Sequence, residues 1–260
     1  MANFHVKFEK VTVAYSDENI IENFTAEFRG AGLIQIMGPN GAGKTTLLKT
    51  LLGLIKPISG RVYINDVNVT GNPSLAGKFV GYVPQFMAER LTNFPLTAWE
   101  IVSNLYILHE KKWPRVIEDM KVKERVRLSL TTVGLPKKTW FRSINELSGG
   151  QRQRVLIARA IVHDPPILVM DEPLASVDPR GRAELAELIG KMSKNKLIII
   201  TSHDPTLLLQ YTTKVVLLNR KYYVIGTPDE VLKIEILSKV YGGSAIPIIQ
   251  HIHISDYHMP

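Results

Sequence analysis

Nine consecutive residues, Gly38-Pro39-Asn40-Gly41-Ala42-Gly43-Lys44-Thr45-Thr46, carry glycines, a lysine and hydroxyls in the spacing of a phosphate-binding loop. The glycines let backbone N–H groups converge on an anion, and a helix start adds the positive end of its dipole. Lys44 can then reach the β and γ phosphates of a nucleoside triphosphate, and the Thr45 hydroxyl can hold Mg²⁺. Much later, Asp171-Glu172 supplies paired carboxylates. Asp171 suits Mg²⁺, directly or through water. Glu172 suits the attacking water, either as proton acceptor or to orient it. Two further polar residues follow strand-like runs. Gln85 is uninformative by itself but in an NTP-binding fold could reach Mg²⁺ or the attacking water, and His203 is read as a γ-phosphate contact in preference to a surface cap.

Such residues work only if the chain brings them to one edge. Leu33-Ile34-Gln35-Ile36-Met37 is short and apolar, a buried strand feeding the loop, and Thr46 to Leu52 is rich in helix formers. Ile167-Leu168-Val169-Met170 and Leu197-Ile198-Ile199-Ile200-Thr201 are continuous apolar runs of the kind parallel strands buried on both faces require. Phe79 to Val83 is a further strand, closed by Pro84-Gln85. Ligands in open α/β sheets collect at the carboxyl ends of strands. Gln85, Asp171, Glu172 and His203 all follow such ends.

Around this frame the texture changes. Phe4, Val6, Phe8, Val11 and Val13 alternate as in a strand, Asp17-Glu18-Asn19 reads as a turn, and Ile21, Phe24, Ala26 and Phe28 continue a second strand. Tyr15, at the exit of the first strand, is by position alone an ordinary strand aromatic. Pro57 to Gly60 reads as a turn and Arg61 to Ile64 as a strand. Residues 86–162 read as a mainly helical insertion with Trp99, Trp113 and Trp140. Thr97 is its N-cap, with Glu100 at the capping-box position. Within it, Leu147-Ser148-Gly149-Gly150-Gln151 feeds a helix through Ala160. The residues fit a plain capped helix and an anion-binding helix end equally well. Ser176-Val177-Asp178-Pro179 opens a helix over about 180–193. Residues 215–218 and 222–225 form a hairpin across 219–221, and Thr227-Pro228-Asp229-Glu230 starts a helix to about Tyr241. After a Gly242-Gly243-Ser244 joint, the tail alternates Ile249, His251, Ile252, His253 and Ile254. A strand with one polar face is expected there, with a metal-sensing tail through His251, His253 and His258 as the alternative.

The 260 residues are 45% hydrophobic and 22% charged, the balance of a soluble globular chain with length for a real core. No apolar run is long enough to span a bilayer, and the start lacks the pattern of a secretory signal. The absence of cysteine excludes disulfide and thiolate chemistry. The formal net charge of +8 draws on Lys111, Lys112, Arg115, Lys121, Lys123, Arg125 and Arg127. These lack the interleaved aromatics of a base-stacking surface, so a solvated helical face, near lipid headgroups at most, is expected and no nucleic-acid partner.

In their order along the chain, these pieces resemble the ATP-binding subunit of ATP-binding-cassette transporters over roughly residues 4–240. The most specific element is Leu147-Ser148-Gly149-Gly150-Gln151, the family's signature, standing between the phosphate loop and Asp171-Glu172, with Gln85, Asp178 and His203 in sequence. The resemblance implies an α/β fold: a P-loop NTPase core with a mostly parallel sheet, an N-terminal antiparallel β subdomain and a helical subdomain. It implies one ATP-binding domain over 1–240, its core from 1–85 and 163–226, its helical subdomain at 86–162, and a tail at 241–260. It also implies that Tyr15 stacks on adenine, that Gly38 to Thr46 hold the phosphates, and that Gln85 senses Mg²⁺ and contacts a membrane subunit. Asp171 would be the Mg²⁺ carboxylate, Glu172 the catalytic base, Asp178 part of a loop crossing between protomers and His203 the γ-phosphate switch.

The implied cofactors are ATP and Mg²⁺, and the implied partner is a second cassette. In a head-to-tail homodimer, Ser148, Gly149, Gly150 and Gln151 of one copy complete the site on the other's phosphate loop. Separate integral membrane permease subunits, an extracytoplasmic solute-binding protein and a place on the cytoplasmic face of the membrane are also implied. The stretches Val80 to Gln85, Asn93-Phe94-Pro95-Leu96-Thr97 and Glu100-Ile101-Val102 are similar to the manganese, zinc and iron-chelate uptake branch, which implies import of a metal ion or chelate. The alternatives are a soluble single-cassette ATPase in iron–sulfur or macromolecular assembly, and an exporter ATPase.

Overall fold

A computed structural model describes residues 4–15, 18–85, 96–110, 119–175, 177–202 and 205–241. The first two strands, β1 (His5–Tyr15) and β2 (Glu18–Arg29), pair antiparallel. With β4 (Ser59–Ile64) and β5 (Val67–Asn68) they form a sheet of order β2-β1-β4-β5. The strand β3 (Gly32–Met37) belongs to the other sheet, with β6 (Val80–Val83), β7 (Ile167–Asp171), β8 (Leu197–Thr201), β9 (Thr212–Asn219) and β10 (Tyr222–Gly226). Its order is β10-β9-β3-β8-β7-β6, and every neighbouring pair is parallel except the closing β9–β10 hairpin. Every residue of β3, β7 and β8 is buried, as their unbroken apolar runs require.

Helix α1 (Lys44–Leu51) joins the two sheets. Its Leu47, Leu48 and Leu51 share one core with Phe8, Phe24 and Val62 of the first sheet and Ile34, Ile36 and Val169 of the second. A four-residue helix, α2 (Pro73–Ala76), precedes β6. A second core covers the opposite face of the parallel sheet. There α3 (Ala98–Glu110), α4 (Met120–Thr132), α5 (Gly149–Ile161) and α6 (Pro179–Ser193) pack together around Val102, Val126, Leu130, Leu156 and Leu185. Thr97 and Glu100 make the expected capping box on α3, with Thr97 N–H on Glu100 Oε2 at 2.8 Å and Glu100 N–H on Thr97 Oγ1 at 3.2 Å. On α4, Val122, Val126 and Leu130 are buried while Lys121, Lys123, Arg125 and Arg127 face solvent, so this part of the basic segment is a solvated face.

Several boundaries differ from the sequence reading. Tyr15 pairs with Glu18 and Ala14 with Asn19, so Glu18 and Asn19 are strand residues and not part of a turn. Ser59 and Gly60 open β4 instead of closing a turn. The expected helix from Pro228 to Tyr241 is two helices, α8 (Pro228–Val231) and α9 (Ile234–Tyr241), after the four-residue α7 (Thr206–Leu209). The reason is geometric. Val231, Leu237 and Val240 all bury against Met37, Val215 and Leu217, and spacings of six and nine residues cannot share one face of a straight helix. The break at Leu232-Lys233 turns both segments inward. Trp113, the Asn93-Phe94-Pro95 stretch and the histidine-containing tail lie outside the described residues.

One buried group makes stability depend on pH. His163 follows α5 and stacks on His109 of α3, ring centroids 4.0 Å apart at 15°. Both its ring nitrogens are buried without a hydrogen-bond partner. Burial, helped by His109 and Lys196 and opposed by Asp164, pushes its pKa down to about 4. An unfolded histidine titrates near 6.5, so between those limits the unfolded chain holds more protons and stability rises with pH. The loss is absent above about 6.5 and complete below about 4, and amounts to about 2 kcal/mol after allowance for partial exposure. His163→Phe keeps the stack and should flatten the slope of unfolding free energy against pH in that window. An unchanged slope would place the acid sensitivity elsewhere.

Candidate active site

Four parallel strands present their carboxyl ends side by side. The register pairs Val83 with Met170, Asp171 with Thr201, and Thr201 with Ile36. That alignment sets Gln85, Asp171-Glu172, Thr201-Ser202 and the loop after Met37 along one edge of the sheet, where doubly wound folds collect ligands.

The loop is built on glycine. Gly38 has φ 156°, and a Cβ there would lie 2.0 Å from the Leu218 carbonyl oxygen. Gly43, at φ 99°, is the N-cap of α1, whose first turn carries no acidic residue. Arg220 N–H donates to Ala42 O at 3.0 Å and braces the loop from the β9–β10 turn. Lys44 is only 7% exposed, and its Nζ donates to Gly38 O at 2.8 Å and Pro39 O at 3.0 Å. Burial holds the ammonium below the ordinary lysine range, while Glu172 and Asp171 pull the other way. A cation this buried, beside helix N–H groups, is made for an anion.

The carboxylates are oriented by hydroxyls. Asp171, 2% exposed, accepts on Oδ1 from Thr45 Oγ1 at 3.2 Å and from Thr201 Oγ1 at 2.6 Å. Thr201 Oγ1 in turn accepts Glu172 N–H at 2.9 Å. Glu172 takes φ 47°, a left-handed backbone that turns it out of the strand, and Gln85 Nε2 donates to its Oε2 at 2.8 Å. The Thr45 hydroxyl and Asp171 carboxylate are hard oxygen donors from two elements, the donor chemistry that Mg²⁺ takes beside substrate phosphates. Thr201 had no assigned role in the sequence. The one available signal was a hydroxyl ending a buried strand whose neighbour ends in Asp171.

The second glycine turn forms a separate group. Ser148 caps α5: its Oγ accepts Gln151 N–H at 3.3 Å, and Gln151 Oε1 accepts Ser148 N–H at 3.1 Å. A cavity of about 500 Å³ is lined by Ser148, Gly150, Gln151, Arg154, Asp178 and Gly181, among others, and by no residue of the phosphate loop. Asp178 caps α6 through Oδ1, which accepts Gly181 N–H at 3.0 Å. Tyr15, 51% exposed, ends β1 beside Glu18. The Arg220 guanidinium pairs with Glu18, so the residue that braces Ala42 also ties down the hairpin carrying Tyr15. The described residues thus bring Lys44, Thr45, Gln85, Asp171 and Glu172 together, and group Ser148, Gly150, Gln151 and Asp178 elsewhere. His203 lies outside the described residues.

A glycine loop at a strand's carboxyl end, a buried lysine and a hydroxyl-bound aspartate define a P-loop nucleoside-triphosphatase. The family model described as ABC transporter matches residues 21–175. The chain is 31% identical to the zinc import ATP-binding protein ZnuC of Pseudomonas fluorescens, over 99% of this chain and 90% of that protein. It is 33% identical to the manganese transport system ATP-binding protein MntB of Bacillus subtilis, over 92% of this chain and 93% of that one. Among solved structures, it resembles the dimeric cassette MJ0796 bound to ADP and Pi, with a TM-score of 0.72, 26% identity, and coverage of 85% of this chain and 98% of that one. It also resembles cbiO1 of Clostridium perfringens, part of the transporter complex cbiONQ, at TM-score 0.78 and 26% identity over 97% and 99% of the two chains. The chain belongs to the ABC transporter family. Within that family it is an ATP-binding cassette, an ATPase, and no described helix is long and apolar enough to cross a membrane.

Proposed function

We propose that this cassette hydrolyses ATP as one of a head-to-tail pair on the cytoplasmic face of a membrane, driving separate permease subunits that import a metal ion or metal chelate. The observation that carries the paired site is the separation of Ser148-Gly149-Gly150 from the Lys44, Asp171 and Glu172 group within one chain. Two anion-facing helix ends that do not share a cavity in one copy can converge on one γ-phosphate from two copies. The metal cargo rests on the zinc and manganese import relatives; an extracytoplasmic solute-binding protein that delivers it is proposed together with the import direction.

The residues divide the work of phosphoryl transfer, which is chiefly positioning and charge neutralisation. Lys44 exchanges the carbonyls of Gly38 and Pro39 for β and γ phosphate oxygens. Thr45 and Asp171 would hold Mg²⁺, which when bound neutralises charge on those oxygens; Thr201 keeps Asp171 in place. Glu172, aimed by Gln85, accepts the proton of the water that attacks the γ-phosphorus as the bond to the β–γ bridging oxygen breaks. Ser148 of the second copy uses its oxygen as a cap acceptor, which leaves its hydroxyl proton to donate to the γ-phosphate. His203 is assigned the same phosphate from the sheet side.

Tyr15 supplies the base platform. Tyr15→Ala should weaken ATP binding about tenfold, the scale of one base–aromatic stack, with kcat at saturating ATP unchanged. Equal nucleotide affinity in a titration of both proteins would return Tyr15 to an ordinary strand aromatic. The transport reading is tested by affinity purification from native membranes in mild detergent, with partners identified by mass spectrometry. A co-purifying multispan permease supports it. A soluble partner alone, at near-stoichiometric yield, would replace it with an assembly role.

A further inference from the structure

The turn that carries Glu172 is gripped from α6. Ala175 N–H donates to Glu172 O at 3.2 Å and closes the turn. Arg182, half-buried in the first turns of α6, donates through Nε to Val177 O at 2.7 Å and through Nη2 to Ala175 O at 3.4 Å. Together with Glu172, Pro173, Leu174 and Ala175, it lines a cavity of about 170 Å³. Val177 is 4% exposed, and its Cγ1 lies 2.6 Å from where a Cβ on Gly181 would sit and 3.4 Å from one on Gly150. Gly150 belongs to the glycine turn at the start of α5. One guanidinium therefore holds the backbone behind Glu172, and one buried methyl wedges that same segment between α6 and the signature turn.

We infer that Arg182 is a positioning residue that, with Val177, mechanically links Glu172 of this chain's own ATP site to the signature turn this chain lends to a second cassette. The inference deepens the proposed function and rests on the roles given there to Glu172 and Ser148. The chemistry favours arginine: the planar guanidinium meets the Val177 and Ala175 carbonyls from two separate nitrogens, Nε and Nη2, whereas an ammonium must reach both from one point. Gly181 serves the same end, since a side chain there would push Val177 off the signature turn.

The test uses the full chain and reads phosphate release, ATP affinity by fluorescence titration and thermal stability for Arg182→Met, Arg182→Lys and Val177→Ala. Arg182→Met should lower kcat about tenfold or more, the scale of an ångström-level misplacement of a reacting group, with ATP affinity within about twofold of wild type. Arg182→Lys should recover part of that loss. Val177→Ala, which leaves the guanidinium bonds in place, should lower kcat with the same unchanged affinity. Wild-type kcat in stable Arg182→Met overturns the inference. So does a parallel fall in kcat, ATP affinity and Tm that lysine does not repair. If Arg182→Met does not fold, wild-type kcat in Val177→Ala overturns it. Glu172→Gln is run alongside: retained turnover there removes the base assignment, whereas a silent Glu172→Gln beside a fully active Arg182→Met removes only the positioning role.

Discussion

Glu172→Gln should cut ATP turnover by about a hundredfold or more, the worth of a general base, while ATP affinity and folding stay close to wild type. The substitution is nearly isosteric. A glutamine oxygen still accepts from Gln85 Nε2, which now donates to Glu172 at 2.8 Å. The backbone N–H still reaches Thr201, and glutamine meets the φ of 47° much as glutamate does. What is lost is proton acceptance, together with the negative charge that acts on Lys44. With the phosphates bound but not cleaved, the two-copy state should persist, and ATP-dependent dimer should accumulate in size-exclusion chromatography. Turnover near wild type would refute the assignment and point to a substrate phosphate oxygen as the proton acceptor.

Gly38→Ala should be more damaging still, because its effect is on the fold of the loop. A methyl placed 2.0 Å from the Leu218 carbonyl and 3.1 Å from the Ala42 Cβ has no room. Neither side can yield cheaply, since Met37 and Leu217 are register partners in the parallel β3–β9 ladder and both are fully buried. Relieving the clash means moving the backbone at the mouth of the phosphate loop. A destabilisation of about 3 kcal/mol or more and a hundredfold or greater loss of ATP affinity are expected, measured by denaturant unfolding and nucleotide titration. Gly41→Ala is the control. Its φ is 77° but nothing lies within 4 Å of a Cβ, so only the left-handed backbone penalty of about 1 kcal/mol applies. If Gly38→Ala binds ATP as well as Gly41→Ala, the triphosphate does not sit in this loop.

Much of the site was legible because its chemistry is local. A glycine spacing that only left-handed backbone satisfies, a lysine at the first turn of a helix and two carboxylates closing an apolar run are each written within ten residues. The continuous apolar runs also announced β3, β7 and β8 as doubly buried. Caps were equally legible: the box at Thr97 forms as read, and at the helix start read from Thr227 the Thr227 N–H donates to Glu230 Oε2 at 2.8 Å. What escaped was anything set by partners distant in sequence. Glu18 and Asn19 joined a strand because their pairing with Tyr15 and Ala14, not turn propensity, decides where a strand ends. The last helix broke because Val231, Leu237 and Val240 must reach the same apolar surface.

By itself the sequence pointed to a chain that binds a triphosphate, named the residues proposed to touch it, and marked a second glycine turn as the cap of a helix. Those are properties of short segments, governed by backbone sterics and the dipoles of helix ends. Only the tertiary structure decided that β8 lies between β3 and β7, which makes Thr201 the hydroxyl joining Thr45's partner Asp171 to the Glu172 backbone. It likewise decided that Arg182 reaches back to the turn behind Glu172, and that the Ser148 turn stands apart from the phosphate loop. Strand order and helix packing come from closing one shared core, and no window of neighbouring residues contains that condition.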